Sequence, residues 1–298
     1  MDSPSGQAAF LRSGGYEAEV VEVGGGLRAL RRDGDEVVAG YRHDEMCTSG
    51  RGQVLVPWPN RIEDGSYAFG GTTYQLGLTE AAARNAIHGL TRWVSWHLAD
   101  QSPTRATWTY RLHPQPGYPF MLDLSINYDL SNTGLRVDIS ARNAGDQPAP
   151  YGHGAHPYLT VGRRIDGCEL TLPASTRCDV DDRGLPGPAV SVDGGPYDFR
   201  RQRLIADTAF DHPFGGLPRG DAPTTVTLRD PDSGRAATLT ADAAYPWLQV
   251  FSGDALPSRA REALAVEPMT CPPNAFRSGV DLVVLEPGES HSAGFVLG

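Results

Sequence analysis

The 298 residues are 40% hydrophobic and 21% charged, the balance of a soluble globular protein with chain enough for one large core or two modest ones. A net charge of −10 argues against nucleic acid or an anionic membrane as a partner, while leaving room for a small charged ligand in a local basic pocket. The 35 glycines and 24 prolines are spread along the chain, which suits many short strands and turns better than long helices.

Residues 1–10 have neither a basic start nor an apolar run, and no apolar stretch approaches the ~20 residues needed to cross a bilayer, so the cytoplasm is the expected compartment. Residues 16–40 alternate apolar and polar side chains, broken by Gly24–Gly26 and by Asp33-Gly34, and predict three strands joined by turns. Strand-like alternation returns over 105–112, 122–130 and 135–141, the last two separated by Asn132-Thr133-Gly134. It returns again over 224–229 and 236–240. Segments 247–252, 263–266 and 281–285 read as more deeply buried strands, and the C-terminal HSAGFVLG as a last one. Residues 79–86, TEAAARNA, predict a short helix. The turn-rich stretch 172–222 reads as excursions from a sheet, since it still carries Val190, Val192, Leu204 and Phe210. The expectation is one all-β domain over 1–298 with roughly fifteen to twenty strands, in two large sheets packed face to face. Cys47, Cys168, Cys178 and Cys271 form no close pair and are expected as free thiols.

Five segments can carry chemistry. In Val56–Ile62 two prolines stiffen the backbone around Trp58, so Arg61 can present its donor fork to hydroxyls, or else pair on the surface with Glu63 or Asp64. His88 beside Gly89 sits where backbone can approach a ligand, with Trp93 and Trp96 near enough to stack on a sugar; an aromatic core patch is the alternative. His153 and His156 are three apart, but without HExxH or a cysteine partner they suit a metal poorly, and His156 suits a proton donor better. A nearby carboxylate is expected to raise its protonated fraction. Asp207 or Asp211 can accept hydrogen bonds from neutral hydroxyls, or serve a turn. Glu267 follows the apolar run Ala263–Val266 and precedes Pro268; a carboxylate ending a buried strand needs partners. Glu267 with His156 makes a general base and a general acid.

Taken together, these segments resemble the aldose 1-epimerase (mutarotase) family. The resemblance rests on PWPNRI with GSYAFGG, NAIHGL with Trp93 and Trp96, GHGAHPYL, Asp207 before Phe210, WLQVFSG, AVEPMTCPPNAF and LEPGES, in that order over residues 56–290. The wording GHGAHPY is closer to a bacterial branch than to the galactose mutarotases. The resemblance implies a large β-sandwich that uses neither metal nor organic cofactor. It implies Glu267 as base, His156 as acid and His88 beside the ring and anomeric oxygens. Arg61, Asp207, Asn60 and Trp247 would hold the sugar. Where the wording here is AHPYL, His153 can reach the ligand or support His156 from behind, and support is the reading preferred. The implied reaction interconverts the α and β anomers of a hexose. A 6-phosphate or other C6-anionic sugar is the alternative substrate, with Arg92, Arg163 and Arg164 available to bind it. A non-catalytic carbohydrate-binding protein and a metal-dependent sugar isomerase of cupin type are the alternative functions. The expected partner is a small sugar, with the chain a monomer or homodimer.

Overall fold

The computed structural model describes residues 3–218 and 222–298, so the last part of the turn-rich stretch, at 219–221, lies outside the described residues. Alternation becomes strand wherever one face can be covered. In Leu122–Ser131 the even positions Leu122, Leu124, Ile126, Tyr128 and Leu130 are buried and the odd positions are half-buried. This strand hairpins with Gly134–Asn143, pairing Ser131 with Gly134 across Asn132-Thr133. The described residues hold 27 strands, more than the expected fifteen to twenty, because several two- and three-residue pieces such as Val54–Leu55 and Gly154–Ala155 are too short to show a period. The predicted helix at 79–86 shrinks to a single 3₁₀ turn, Ala81–Ala83. It stops at Arg84, which has φ +56, and strand Asn85–Ile87 follows. The one α-helix among the described residues is the four-residue Ala275–Ser278.

Two antiparallel sheets hold most of the chain. A twelve-stranded sheet runs in the order Ala8–Ser13, Tyr16–Val21, Leu27–Arg32, Asp35–Val38, Tyr158–Leu159, Leu264–Met269, Trp247–Phe251, Asp211–Gly215, Thr176–Val180 and Pro186–Ser191, with Gly154–Ala155 and Val54–Leu55 attached beside it. A nine-stranded sheet is centred on Gly134–Asn143 and Ser290–Leu297. One apolar cluster joins them, with Leu11, Val20 and Leu30 from the first sheet and Trp108, Ile126, Val137 and Phe295 from the second. Each such side chain contributes about 1.5–3 kcal/mol by burial. The Tyr128 hydroxyl crosses between the layers to donate to the Gly25 carbonyl at 2.7 Å. The architecture is the expected large β-sandwich. The four cysteines are buried and unpaired. No helix among the described residues is long and apolar enough to cross a membrane.

The site follows from the position of Leu264–Met269. This strand lies in the interior of the twelve-stranded sheet, with Trp247–Phe251 on one side and both Tyr158–Leu159 and Gly154–Ala155 on the other. His156 lies between those last two pieces, so the pairing brings it beside Glu267.

Candidate active site

Glu267 faces Gln249 across the strand pair, and the next strand brings in Asp211, opposite Phe251. The Gln249 amide donates to Asp211 Oδ1 at 2.8 Å. On the other side His156 Nε2 lies 3.2 Å from Glu267 Oε1, with the two side chains 7% and 2% exposed. Strand Arg61–Glu63 pairs with Asn85–Ile87 and sets Asn60 against His88. Both take left-handed backbone, with φ +54 and +61. The His88 N–H donates to the Asn60 carbonyl at 2.9 Å, and the Asn60 N–H donates to His88 Nδ1 at 3.1 Å. The rings of His88 and His156 meet edge to face, 5.6 Å between centroids. Asn60, Arg61, His88, His156, Asp211, Gln249 and Glu267 line one cavity of about 300 Å³, walled by Trp93, Tyr158 and Phe251, with Arg92 also in its lining. A groove of about 680 Å³ crosses the other sheet, where Ser125 and Ser140 pair at 2.7 Å.

Burial controls the electrostatics. It pushes the His156 imidazole down to about 3, with the Arg92 and Arg51 charges acting in the same direction. It pushes the Glu267 carboxyl well above the usual carboxylate range, with Asp211 adding to the rise and Arg61 opposing it. The carboxylate was expected to raise the protonated fraction of His156; desolvation outweighs it. Both shifts favour neutral forms, so the pair holds one proton between Glu267 and His156 rather than an ion pair. Burial also holds His88 well below its ordinary value, hence neutral. Because His88 Nδ1 accepts from Asn60, its proton sits on Nε2.

Several expectations need correction. Asp207 is exposed on a turn and outside the cavity; the aspartate that lines it is Asp211, which the register with Phe251 selects. Trp247 is also outside the cavity lining: its indole N–H donates to Asp281 at 2.7 Å. Arg61 is paired with neither Glu63 nor Asp64 but is held bidentately by Glu80, at 2.9 and 3.0 Å. Trp96 is core, while Trp93 is 51% exposed at the cavity wall. His153 is clamped between the hydroxyls of Tyr151 at 2.8 Å and Tyr245 at 2.9 Å, which leaves neither ring nitrogen for a ligand or for His156. Gln249 was not picked out; a buried amide inside the apolar run WLQVF was the signal for it.

His88, His156 and Glu267 offer three donor atoms within 4.8 Å of one another. They do not fit a divalent metal. A metal needs a lone pair on His88 Nε2, and the Asn60 N–H holds the proton there by occupying Nδ1.

Gly89 lets this loop pass. It has φ +71, and a Cβ would lie 2.0 Å from the Val56 carbonyl oxygen, which accepts the Leu90 N–H. Gly89→Ala is expected to destabilise the fold by about 2–4 kcal/mol, read from urea denaturation. An unchanged midpoint would contradict this reading of the turn.

A family model described as aldose 1-epimerase matches residues 8–298. The chain belongs to the aldose 1-epimerase family. It is 40% identical over 289 residues to an uncharacterized Escherichia coli (strain K12) protein, YihR, covering 96% of this chain and 91% of that one. Among solved structures it is similar to a galactose mutarotase-like protein from Clostridium acetobutylicum, with a TM-score of 0.85, 21% identity and 97% and 94% of the two chains covered. It is similar also to a galactose 1-epimerase from Lactobacillus acidophilus, with a TM-score of 0.81, 21% identity and 96% and 91% covered. At these identities the solved structures speak for the fold that this family member shares.

Proposed function

We propose that this chain is an aldose 1-epimerase that interconverts the α and β anomers of a hexose by acid–base ring opening. The observation that carries the reading is the buried contact of His156 Nε2 with Glu267 Oε1, 3.2 Å long, at the wall of a sugar-sized cavity. The common core of the two sheets supports action as one domain, and the likeness to YihR supports the bacterial branch.

In the mechanism, sugar docking draws the shared proton onto His156 and leaves Glu267 as carboxylate. Glu267 takes the proton of the anomeric hydroxyl while His156 gives its own to the ring oxygen. The C1–O5 bond breaks and the C1=O1 bond forms. After rotation about C1–C2, Glu267 returns a proton to O1 and His156 recovers one from O5 as the ring closes on the other face. The Nε2–H of His88 donates to the anomeric or ring oxygen. Asn60, Arg61, Asp211 and the free Gln249 carbonyl oxygen hold hydroxyls. No cofactor enters these steps.

The test is anomer exchange of a panel of aldoses followed by NMR, with acceleration over the uncatalysed rate expected. Saturable sugar binding without exchange would instead favour a binding protein on this fold. The pH profile is expected to be flat through 6.5, where an ordinary imidazole titrates. The pair works with one proton. It loses that state on the acid side only as pH falls toward the His156 value of about 3, and on the alkaline side as pH rises through the elevated Glu267 value. An acid limb of kcat/KM at pH 6–7 would contradict it.

One observation favours a C6-anionic sugar as second reading. Arg92 lines the cavity, yet its guanidinium pairs with no carboxylate among the described residues: it donates to the Gln53 side-chain oxygen at 3.3 Å and the Ile87 carbonyl at 3.4 Å and lies 5.7 Å from the centre of the Trp93 ring. Arg163 and Arg164, by contrast, are paired with Asp230, Asp232 and Asp166. If the substrate is anionic, Arg92→Met is expected to raise KM for the anionic sugar about 10–100-fold, as for loss of a charge-assisted hydrogen bond, and to leave neutral aldoses little changed. Equal effects on both classes would reject this second reading.

A further inference from the structure

The segment Ser49–Gln53 packs against His156. The His156 N–H donates to the Gln53 carbonyl at 3.0 Å, and its carbonyl accepts the Gly52 N–H at 2.9 Å. Gly50, at φ +71, passes so close that a Cβ there would lie 2.5 Å from His156 Cδ2. The His156 ring stacks on Tyr158, with centroids 4.9 Å apart and planes 13° apart, and the Tyr158 hydroxyl donates to the Ser49 carbonyl at 2.8 Å. The Arg51 guanidinium carbon lies 4.3 Å from the centre of the same phenol ring. The Tyr158 ring thus contacts both the Arg51 guanidinium and the His156 imidazole.

Arg51 is 3% exposed, and its Nε and Nη1 atoms have no hydrogen-bond partner. Among the described residues no carboxylate lies within ion-pair distance of it. A buried cation without a carboxylate is costly, and the Tyr158 face offsets only part of that cost. The groups facing the His156 ring are Glu267, His88, Tyr158 and, by their charge, Arg51 and Arg92. Two of these are cations and one is a carboxyl that burial keeps protonated.

We propose that Arg51 is a positioning residue for the Glu267–His156 pair: through the Tyr158 ring it opposes positive charge on His156 and keeps the shared proton toward Glu267 until a sugar docks. The proposal rests on the acid–base reading of the pair. Its first test does not depend on activity.

The measurement is an NMR titration of the labelled His156 ring in the full chain, together with the pH profile of anomer exchange, for wild type, Arg51→Met and Arg51→Lys. Arg51→Met keeps the bulk and removes the charge. It is expected to move the His156 midpoint and the acid limb of kcat/KM upward by roughly one pH unit. Arg51→Lys loses the planar stack but keeps the charge, and is expected to move both clearly less than Arg51→Met does. Arg51→Gln, which retains a hydrogen-bonding head, makes the same test should Arg51→Met not fold. A slower rate with an unmoved midpoint would mark Arg51 as merely structural and overturn the proposal. Equal upward shifts in Arg51→Lys and the neutral variants would overturn it too, since the charge would then be irrelevant. If wild type exchanges no anomers, the catalytic reading fails, while the histidine titration still decides the role of Arg51.

Discussion

Glu267→Gln is expected to slow anomer exchange by about 10²–10⁴-fold, with KM for the sugar changed little. Glutamine keeps the size and the hydrogen-bonding reach but cannot take the anomeric proton. The site leaves no good base in its place, because Asp211 already accepts from the Gln249 amide, the accepting nitrogen of His88 is taken by the Asn60 N–H, and His156, pushed down to about 3, is a weak base. Stability should move the other way. Glu267 is buried, and its second carboxyl oxygen has no partner in the free protein, so the glutamine variant is expected to unfold at the same or a slightly higher denaturant concentration than wild type. Reduced exchange in a protein of unchanged or improved stability is thus the signature of a lost base. Exchange within twofold of wild type would remove Glu267 from the mechanism.

The second large effect is expected for His156→Gln, again about 10²–10⁴-fold on kcat. The amide nitrogen reaches toward the place of the ring Nε2 but cannot carry the proton to the ring oxygen and recover it. This variant also removes the stack on Tyr158, so its folded state should be checked by near-UV circular dichroism before its rate is read. The informative variant is the double one. Two groups that share one proton act as a unit, and Glu267→Gln combined with His156→Gln should lose about as much as the worse single variant. Losses that multiply would mean the two residues serve separate steps. They would also count against the shared proton.

Much of the fold was legible because its strands are half-buried. Leu122–Ser131 alternates in the sequence and alternates in burial for the same reason: side chains on successive residues point to opposite faces. The short pieces beside the site were not legible. Val54–Leu55 and Gly154–Ala155 have no period of their own; Gly154–Ala155 is a strand only because Leu264–Met269 accepts it, and Val54–Leu55 only because Gly154–Ala155 in turn accepts it. Residues 79–86 show the opposite error. Alanine-rich propensity favours helix there, but Glu80 is committed to Arg61 and to the Asn85 amide, and the backbone turns left-handed at Arg84.

The candidate site divides along the same line. A carboxylate after an apolar run and a histidine before proline can be read as chemistry because each is costly where it stands. The choice between Asp207 and Asp211 has no such local signal. Both are acidic residues near Phe210, and only the pairing of Asp211 with Phe251 turns one of them toward Gln249. Trp247 shares the alternation of Gln249 and Phe251, yet the cavity ends before it and its indole is spent on Asp281.

By itself, then, the sequence determined the strand-rich sandwich through its patterning, the family through the resemblance of its motifs, and the two groups proposed to move protons through a carboxylate after an apolar run and a histidine before proline. The tertiary structure alone decided how those groups are poised. The proton of His88 stays on Nε2 because a backbone N–H from Asn60 meets the other nitrogen, and the Glu267–His156 pair is neutral because the twelve-stranded sheet and the segments carrying Gly50, Asn60 and His88 bury it and remove the water that would have kept it charged.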